Sequence, residues 1–414
     1  MDNSLINAID TGTLRVDVTS PEGRPMENVS VEISYSGDPD NTIETLFTDS
    51  IGRTEPVTLP APPLEFSETP SVEQPYSDYN IVIRAPEYPP ISINGINLFP
   101  TRLSIQPVRF PFPPMDPMGR IITIGPNTLF GDYPPKIPES EIKPIRNTGE
   151  IVLDRVVVPE FVVVHNGVPS DSSAANYTVR FADYIKNVVS SEIYPTWPEE
   201  TIRANVIAIV SFTLNRVFTE WYRNKGYDFT ITSSTAYDQK WIYGRNIFDN
   251  ISAIVDDVFA NYVSRPNIKQ PILTQYCDGK RTTCDGLSQW GSKYLGDDNY
   301  TALEILRTYF GEEIYINTAE EVSGIPMSWP GYVLEIGSYG PPVSVIQEQL
   351  DFIRSVYTNI PPVVVDGIYG EETEAAVKKF QQVFDLPQSG TVNFPTWYRI
   401  SKMYVALAGL AEPN

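Results

Sequence analysis

Histidine is almost missing from this chain: His165 is the only one in 414 residues. Cysteine is nearly as scarce, with Cys277 and Cys284 alone. These shortages exclude histidine-rich metal sites, and two cysteines by themselves rarely hold zinc. A Ser–His–Asp or Cys–His arrangement has to use His165, which sits between a β-like run and an Asn-Gly turn, and no serine lies in a G-x-S-x-G setting. No apolar run approaches the ~20 residues that span a bilayer. The opening MDNSLINAIDTG has neither the positive start nor the apolar core of a signal peptide, so standard secretion is not expected. Basic residues also fall short: 30 Lys and Arg against 52 Asp and Glu leave a net charge of -22. Such a surface repels phosphate backbones and anionic lipids, so neither nucleic acid nor membrane is expected as a partner. With 41% hydrophobic and 12% aromatic residues, however, the chain can build two or three packed domains.

Four stretches follow one another. Thr13-Leu14-Arg15-Val16-Asp17-Val18 and Val29-Ser30-Val31-Glu32-Ile33-Ser34 alternate at period two, and residues 79–84 and 103–108 read as further strands. Residues 1–112 are therefore expected to form a small β-sandwich, structural or regulatory and without a catalytic cluster. Nine prolines then crowd together: Pro111, Pro113, Pro114, Pro117, Pro126, Pro134, Pro135, Pro138 and Pro144. Proline fixes φ and lacks an N–H, so residues 113–150 are expected as an extended linker, a favoured place for proteolytic cutting. Residues 151–322 mix strands with helices. Phe181, Tyr184, Ile185, Val188 and Val189 make the stripe of an amphipathic helix. Thr196 and Glu199 at capping-box spacing open a second helix, expected to run through Ile202, Val206, Ile209 and Val217 until Gly226. Residues 323–414 read as a compact helical unit, which makes the fold class multidomain α+β.

With histidine chemistry set aside, carboxylates remain. The stripe from Phe181 has its next position at 192, so Glu192 continues the buried face as the helix nears Pro195. A carboxyl there loses hydration, which raises its pKa and suits it to give a proton to a leaving oxygen. The alternative is a glutamate frayed into solvent or paired with Arg203. Cys277 and Cys284, with six residues between them, are either a disulfide closing a small loop or two free thiols.

Two resemblances add to this reading. Gly337-Ser338-Tyr339-Gly340, then Val343, Ile346, Gln347 and Leu350, then Val365-Asp366-Gly367-Ile368-Tyr369-Gly370, then Thr373, Ala376, Val377, Phe380 and Gln381, resembles the three-helix peptidoglycan-binding module of type 1. In that module an exposed aromatic such as Tyr369 is expected to stack on sugar rings. Asp183-Tyr184-Ile185-Lys186-Asn187-Val188-Val189-Ser190-Ser191-Glu192, followed by Trp197-Pro198 and Ala204-Asn205-Val206, is similar to the first block of the stage II sporulation protein D (SpoIID/LytB) family. Gly286-Leu287-Ser288-Gln289-Trp290-Gly291-Ser292 matches its second block, and the likeness spans roughly residues 151–316.

That resemblance implies a lytic transglycosylase acting on peptidoglycan strands, with the family's catalytic Glu at Glu192. Ser288, Gln289 and Trp290 are then expected to line the glycan cleft, with Asp238 and Tyr243 as further substrate-binding candidates. The Cys/His zinc ligands of some members have no counterpart in Thr232-Ser233-Ser234-Thr235-Ala236-Tyr237-Asp238-Gln239, so no metal and no cofactor is expected. The whole order of parts resembles the clostridial spore cortex-lytic enzymes. This implies a proenzyme stored in the spore, made in the mother cell without a signal peptide. A subtilisin-like germination protease of the Csp type is the implied partner that activates it by cutting the linker. Alternatives are a non-catalytic peptidoglycan binder, an amidase enhancer, or a spore-coat tether. The sandwich reads equally as an inhibitor over the cleft, a folding aid or a localisation tag.

Overall fold

The computed structural model describes residues 10–112, 116, 118–143 and 153–410. Parts of the expected linker and strand pattern, residues 113–115, 117 and 144–152, lie outside them.

The N-terminal strands are β1 (Asp10–Thr19), β2 (Ser30–Tyr35), β3 (Asp38–Phe47), β4 (Val57–Ala61), β5 (Ser77–Ala85), β6 (Tyr88–Leu98) and β7 (Leu103–Arg109). β1 lies between antiparallel β4 and parallel β7, while β3, β2, β5 and β6 form the facing sheet. The period-two pattern places Leu14, Val16, Val18, Val31, Ile33, Ile81 and Ile83 in one core between the sheets.

The proline-rich stretch is not a free linker. β8 (Arg120–Thr123) pairs parallel with β6 and widens the facing sheet. Ile124 still packs into the sandwich core, and residues 125–143 then cross the central domain as a strap, with Asn127 and Leu129 buried. Proline's missing donor matters little here. An extended strap is fastened mainly by side chains and isolated backbone bonds, not by a continuous ladder.

The central domain begins with β9 (Val157–Val158), β10 (Phe161–His165) and β11 (Asn176–Arg180), then α1 (Phe181–Glu192) and α2 (Glu199–Phe218). The stripe on α1 is buried as expected, but Lys186, Asn187, Ser190 and Ser191 are buried too, because other elements cover its remaining faces. α2 is buried nearly all round and forms the axis of the domain. Its start differs from the capping-box expectation: Pro198 is the N-cap residue and makes no side-chain cap bond. Thr196 instead donates its hydroxyl to Ser67 of the sandwich at 2.8 Å. The helix also stops at Phe218, eight residues before Gly226.

Around α2 lie β12 (Ile231–Thr232), β13 (Ile247–Phe248), α3 (Asp249–Val258), β14 (Asn261–Ser264), β15 (Tyr276–Cys277), β16 (Leu287–Ser288), α4 (Gln289–Asp297), α5 (Ala302–Phe310), β17 (Tyr315–Thr318) and β18 (Glu321–Val322). β13 pairs with β7, so the central domain completes one sheet of the sandwich. The C-terminal module packs α6 (Pro341–Ile353), α7 (Glu371–Val383) and α8 (Phe394–Leu407) around Ile346, Leu350, Phe380 and Trp397. Tyr369 is part of that core, its hydroxyl donating to the Gly390 carbonyl at 2.7 Å, and presents no ring to a sugar. Tyr339, 80% exposed, and Tyr332, 53% exposed, present aromatic rings to solvent instead.

The module touches both other parts. Asp385 accepts from Arg15 at 2.7 Å and Arg53 at 3.0 Å of the sandwich. Arg399 pairs with Asp256, and Lys402 with Asp183 at 2.6 Å, on the central domain.

Candidate active site

Glu192 is the last residue of α1 and only 4% exposed. The helix end delivers its carboxylate into a pocket where four donors reach it. The Lys240 backbone N–H lies 2.7 Å and the Tyr276 hydroxyl 3.2 Å from Oε1. The Gln289 amide lies 3.4 Å and the Thr128 hydroxyl 3.1 Å from Oε2. Arg203, the alternative partner considered above, is bound to Glu199, Glu200 and Asp257.

Each donor has a structural cause. Tyr276 and Gln289 come from the short parallel pair β15–β16 and the start of α4. Gly286 permits that pairing: a Cβ there would lie 1.9 Å from the Gln275 carbonyl oxygen. Cys277 and Cys284 are joined in a disulfide that closes the loop carrying Asp278 and Arg281. Gly279, at φ +75, makes the turn inside this loop. Burial, together with the Glu192 charge, pushes the Tyr276 phenol well above its usual range, so it stays a donor.

Beside Glu192 lies a cavity of about 350 Å³, within the usual size of ligand pockets. The central domain supplies Glu192, Thr235, Tyr276, Asp278, Arg281 and Gln289 to its wall, and the strap supplies Thr128 and residues 132–136. Asp278 is already engaged by its own loop, accepting from the backbone N–H groups of Lys280 and Thr282 and from Arg281. Although burial raises it, those bonds hold its carboxyl below the usual range. A second cavity, of about 380 Å³, is lined by Lys240, Tyr177, Trp241, Tyr243 and Arg120.

The candidate binding residues divide. Gln289 faces Glu192, and Tyr243 lies on the second cavity, tilted against Tyr177, edge-to-face with Trp241 and covered by Arg120 at 4.8 Å. Ser288 is the N-cap of α4, its hydroxyl accepting from the Gly291 N–H at 2.9 Å. Trp290 is buried among Tyr194, Trp197 and Tyr294 and offers no face to a ligand. Asp238 is fully buried and saturated by Arg216 at 2.7 Å, the Tyr222 hydroxyl at 2.6 Å and both donors of Thr232. It is a structural residue, because neither oxygen is exposed to a sugar. His165 bonds Asn176 and the Val168 carbonyl and stacks on Phe229, outside the site.

Sequence reasoning missed Tyr276 and the strap. Lys136 of the strap donates to the Asp238 carbonyl, with its ammonium 4.7 Å from the centre of the Tyr276 ring. Burial lowers the pKa of this lysine despite the Glu192 and Asp238 charges. Further along, Glu139 is held by Arg216 at 2.6 and 3.0 Å and Glu141 by Arg265 at 2.9 Å. Burial raises the Glu139 carboxyl, but Arg216 and Lys143 outweigh it and bring it down to about 2. Among the described residues, no group of three His, Cys, Asp or Glu side chains is placed to hold a metal. No helix among them is long and apolar enough to cross a membrane.

Comparison with known proteins gives two family matches. Residues 170–257 match the stage II sporulation protein (SpoIID) family, and residues 339–400 match a peptidoglycan binding domain family. No curated protein matches the chain. Similar solved structures include the SleB N-terminal domain, 27% identical over 19% of this chain and 99% of that one, with a TM-score of 0.17. Another is catechol 1,2-dioxygenase from Acinetobacter sp. ADP1, 17% identical over 26% of this chain and 46% of that one, with a TM-score of 0.16. A third is chlorocatechol 1,2-dioxygenase from Pseudomonas putida, 14% identical over 29% and 60%, with a TM-score of 0.16. The chain thus carries, in this order, a segment similar to the SpoIID family and a segment similar to a type 1 peptidoglycan-binding domain.

Proposed function

We propose that this protein is a spore cortex-lytic enzyme of the SleC type: a peptidoglycan lytic transglycosylase stored as a proenzyme and activated by proteolysis at germination. The proposed parts are a sandwich over residues 1–112, an activation segment over 113–150, a catalytic domain over 151–322 and a binding domain over 323–414. The observation that carries the reading is the setting of Glu192, a single buried carboxyl held by Tyr276, Gln289 and the Lys240 N–H at the edge of a cavity.

A hydrolase that activates water needs two carboxylates at a set separation. The other central-domain carboxylate on this wall, Asp278, is tied to its own loop. Intramolecular transfer needs only one. Protonated Glu192 gives its proton to the oxygen linking muramic acid C1 to glucosamine, and the C1–O bond breaks. The muramic 6-hydroxyl then bonds to C1 and returns its proton to Glu192. No water is consumed, and the product ends in 1,6-anhydromuramic acid. The C-terminal module would keep the enzyme on the cortex, and a Csp-type protease would supply the activating cut.

Mass spectrometry of peptidoglycan digests tests the reaction. Anhydromuramic ends are expected; new reducing ends would assign a hydrolase. Glu192→Gln keeps the shape but removes the proton, so turnover is expected to fall by roughly 10²–10⁴ with folding intact. An active Gln variant would refute the assignment.

A further inference from the structure

Any glycosidic oxygen that receives the Glu192 proton must come within about 2.6–3.2 Å of the carboxyl. Such a position is already taken by the Thr128 hydroxyl, 3.1 Å from Oε2. The same threonine is fixed there from both sides, its N–H donating to the Ser191 carbonyl at 2.9 Å and its own carbonyl accepting from Arg281 at 2.7 Å. The chain then turns and comes back: the Tyr133 hydroxyl bonds the Pro126 carbonyl, and Lys136 lays its ammonium over the Tyr276 ring. One segment thus bonds Glu192 directly through Thr128 and, through Lys136, covers the ring of Tyr276, which bonds the other carboxylate oxygen.

We infer that the strap, and not the sandwich itself, blocks this site: Thr128 holds the place of the substrate oxygen, and residues 133–136 close the cleft to a polymer. The inference rests on the reading of Glu192 as the catalytic acid. It carries a consequence for activation. The ion pairs of Glu139 with Arg216 and Glu141 with Arg265, and the pairing of β8 with β6, all lie before residue 144. A cut beyond residue 143 removes none of them, so the cut chain stays blocked until the strap is withdrawn.

The test compares the intact chain, the chain cut at a protease site built into residues 146–149, and the cut chain carrying Thr128→Gly and Lys136→Gly. Thr128→Ala alone is run in parallel, so that a folding defect in the double variant does not decide the result. Three readouts are taken: co-elution of the two fragments, turnover of purified peptidoglycan, and, in a Glu192→Gln background, binding of N-acetylglucosamine tetramer. The simple cut chain is expected to co-elute and to show less than a tenth of the double variant's turnover. Tetramer binding should tighten at least tenfold in the double variant and measurably in Thr128→Ala. Full turnover by a cut chain that still co-elutes would overturn the inference, as would unchanged tetramer binding in both variants. Tighter tetramer binding without glycan cleavage in any form would leave the blocking strap standing and remove the enzymatic reading. Equal cleavage in all forms would do the reverse.

Discussion

Tyr276 donates one of the three central-domain hydrogen bonds that fix the Glu192 carboxylate, and does so from a fully enclosed position. Removing a hydrogen bond to a charged group costs about 1.5–3 kcal/mol. If that bond serves the reacting state, Tyr276→Phe lowers kcat roughly 10–100-fold with KM little changed. Steady-state kinetics decides: a rise in KM alone would make Tyr276 a binding residue. Glu192 was legible in the sequence because it occupies the next position of an apolar stripe, and Gln289 because it lies in a motif block. Tyr276 was not, since a lone Tyr before a Cys-Asp-Gly loop matches no spacing rule; only pairing with Leu287 brings it to the carboxylate. From the same block, Trp290 lies in the core and Ser288 caps α4. A serine immediately before a helix is an N-cap signal, and Ser288 fills that role.

Among the elements, the loop from Cys277 to Cys284 is the most consequential small one. Its disulfide spans a sequence separation of 7, and Arg281 within it bonds the strap carbonyls of Thr128, Phe130 and Gly131. Closing so short a loop restricts the unfolded chain by about 2 kcal/mol on the chain-entropy estimate. Cys277→Ser with Cys284→Ser is therefore expected to lower the urea midpoint of the central domain, and a midpoint equal to that of the native chain would count against this account. The strap shows the limit of composition. Prolines correctly excluded helix and central strand, but extended chain in solvent and extended chain pressed on a domain have the same composition. Glu139 and Glu141 distinguish the two only because Arg216 and Arg265, far along the sequence, wait beneath them.

Across the whole molecule, buried ion pairs link the parts, and they set its response to acid. Glu139 sits at about 2, against an ordinary 4.5, and joins the strap to the central domain. Asp256 is likewise brought to about 2 from 3.8: burial raises it, but Arg399 and Lys186 outweigh that, and it joins the C-terminal module to the central domain. Both are carboxyls depressed in the folded state, so their contribution is complete above the unfolded values and is lost as pH falls from about 4.5 towards 2. The thermal unfolding midpoint is expected to drop over that window, and Glu139→Gln to flatten part of the slope. An unchanged slope in Glu139→Gln would remove the strap from this response.

The sequence by itself determined the order of parts, the β and helical character of each, and the position of Glu192 on a buried helix face. All of these follow from local periodicity, which needs only neighbours within a few residues. Tertiary structure alone decided which groups surround Glu192. The three central-domain donors stand 48, 84 and 97 residues away from it, and the fourth comes from a strap 64 residues upstream. Contacts at such separations leave no period in a sequence, because packing and complementary charge set them only once the chain has folded.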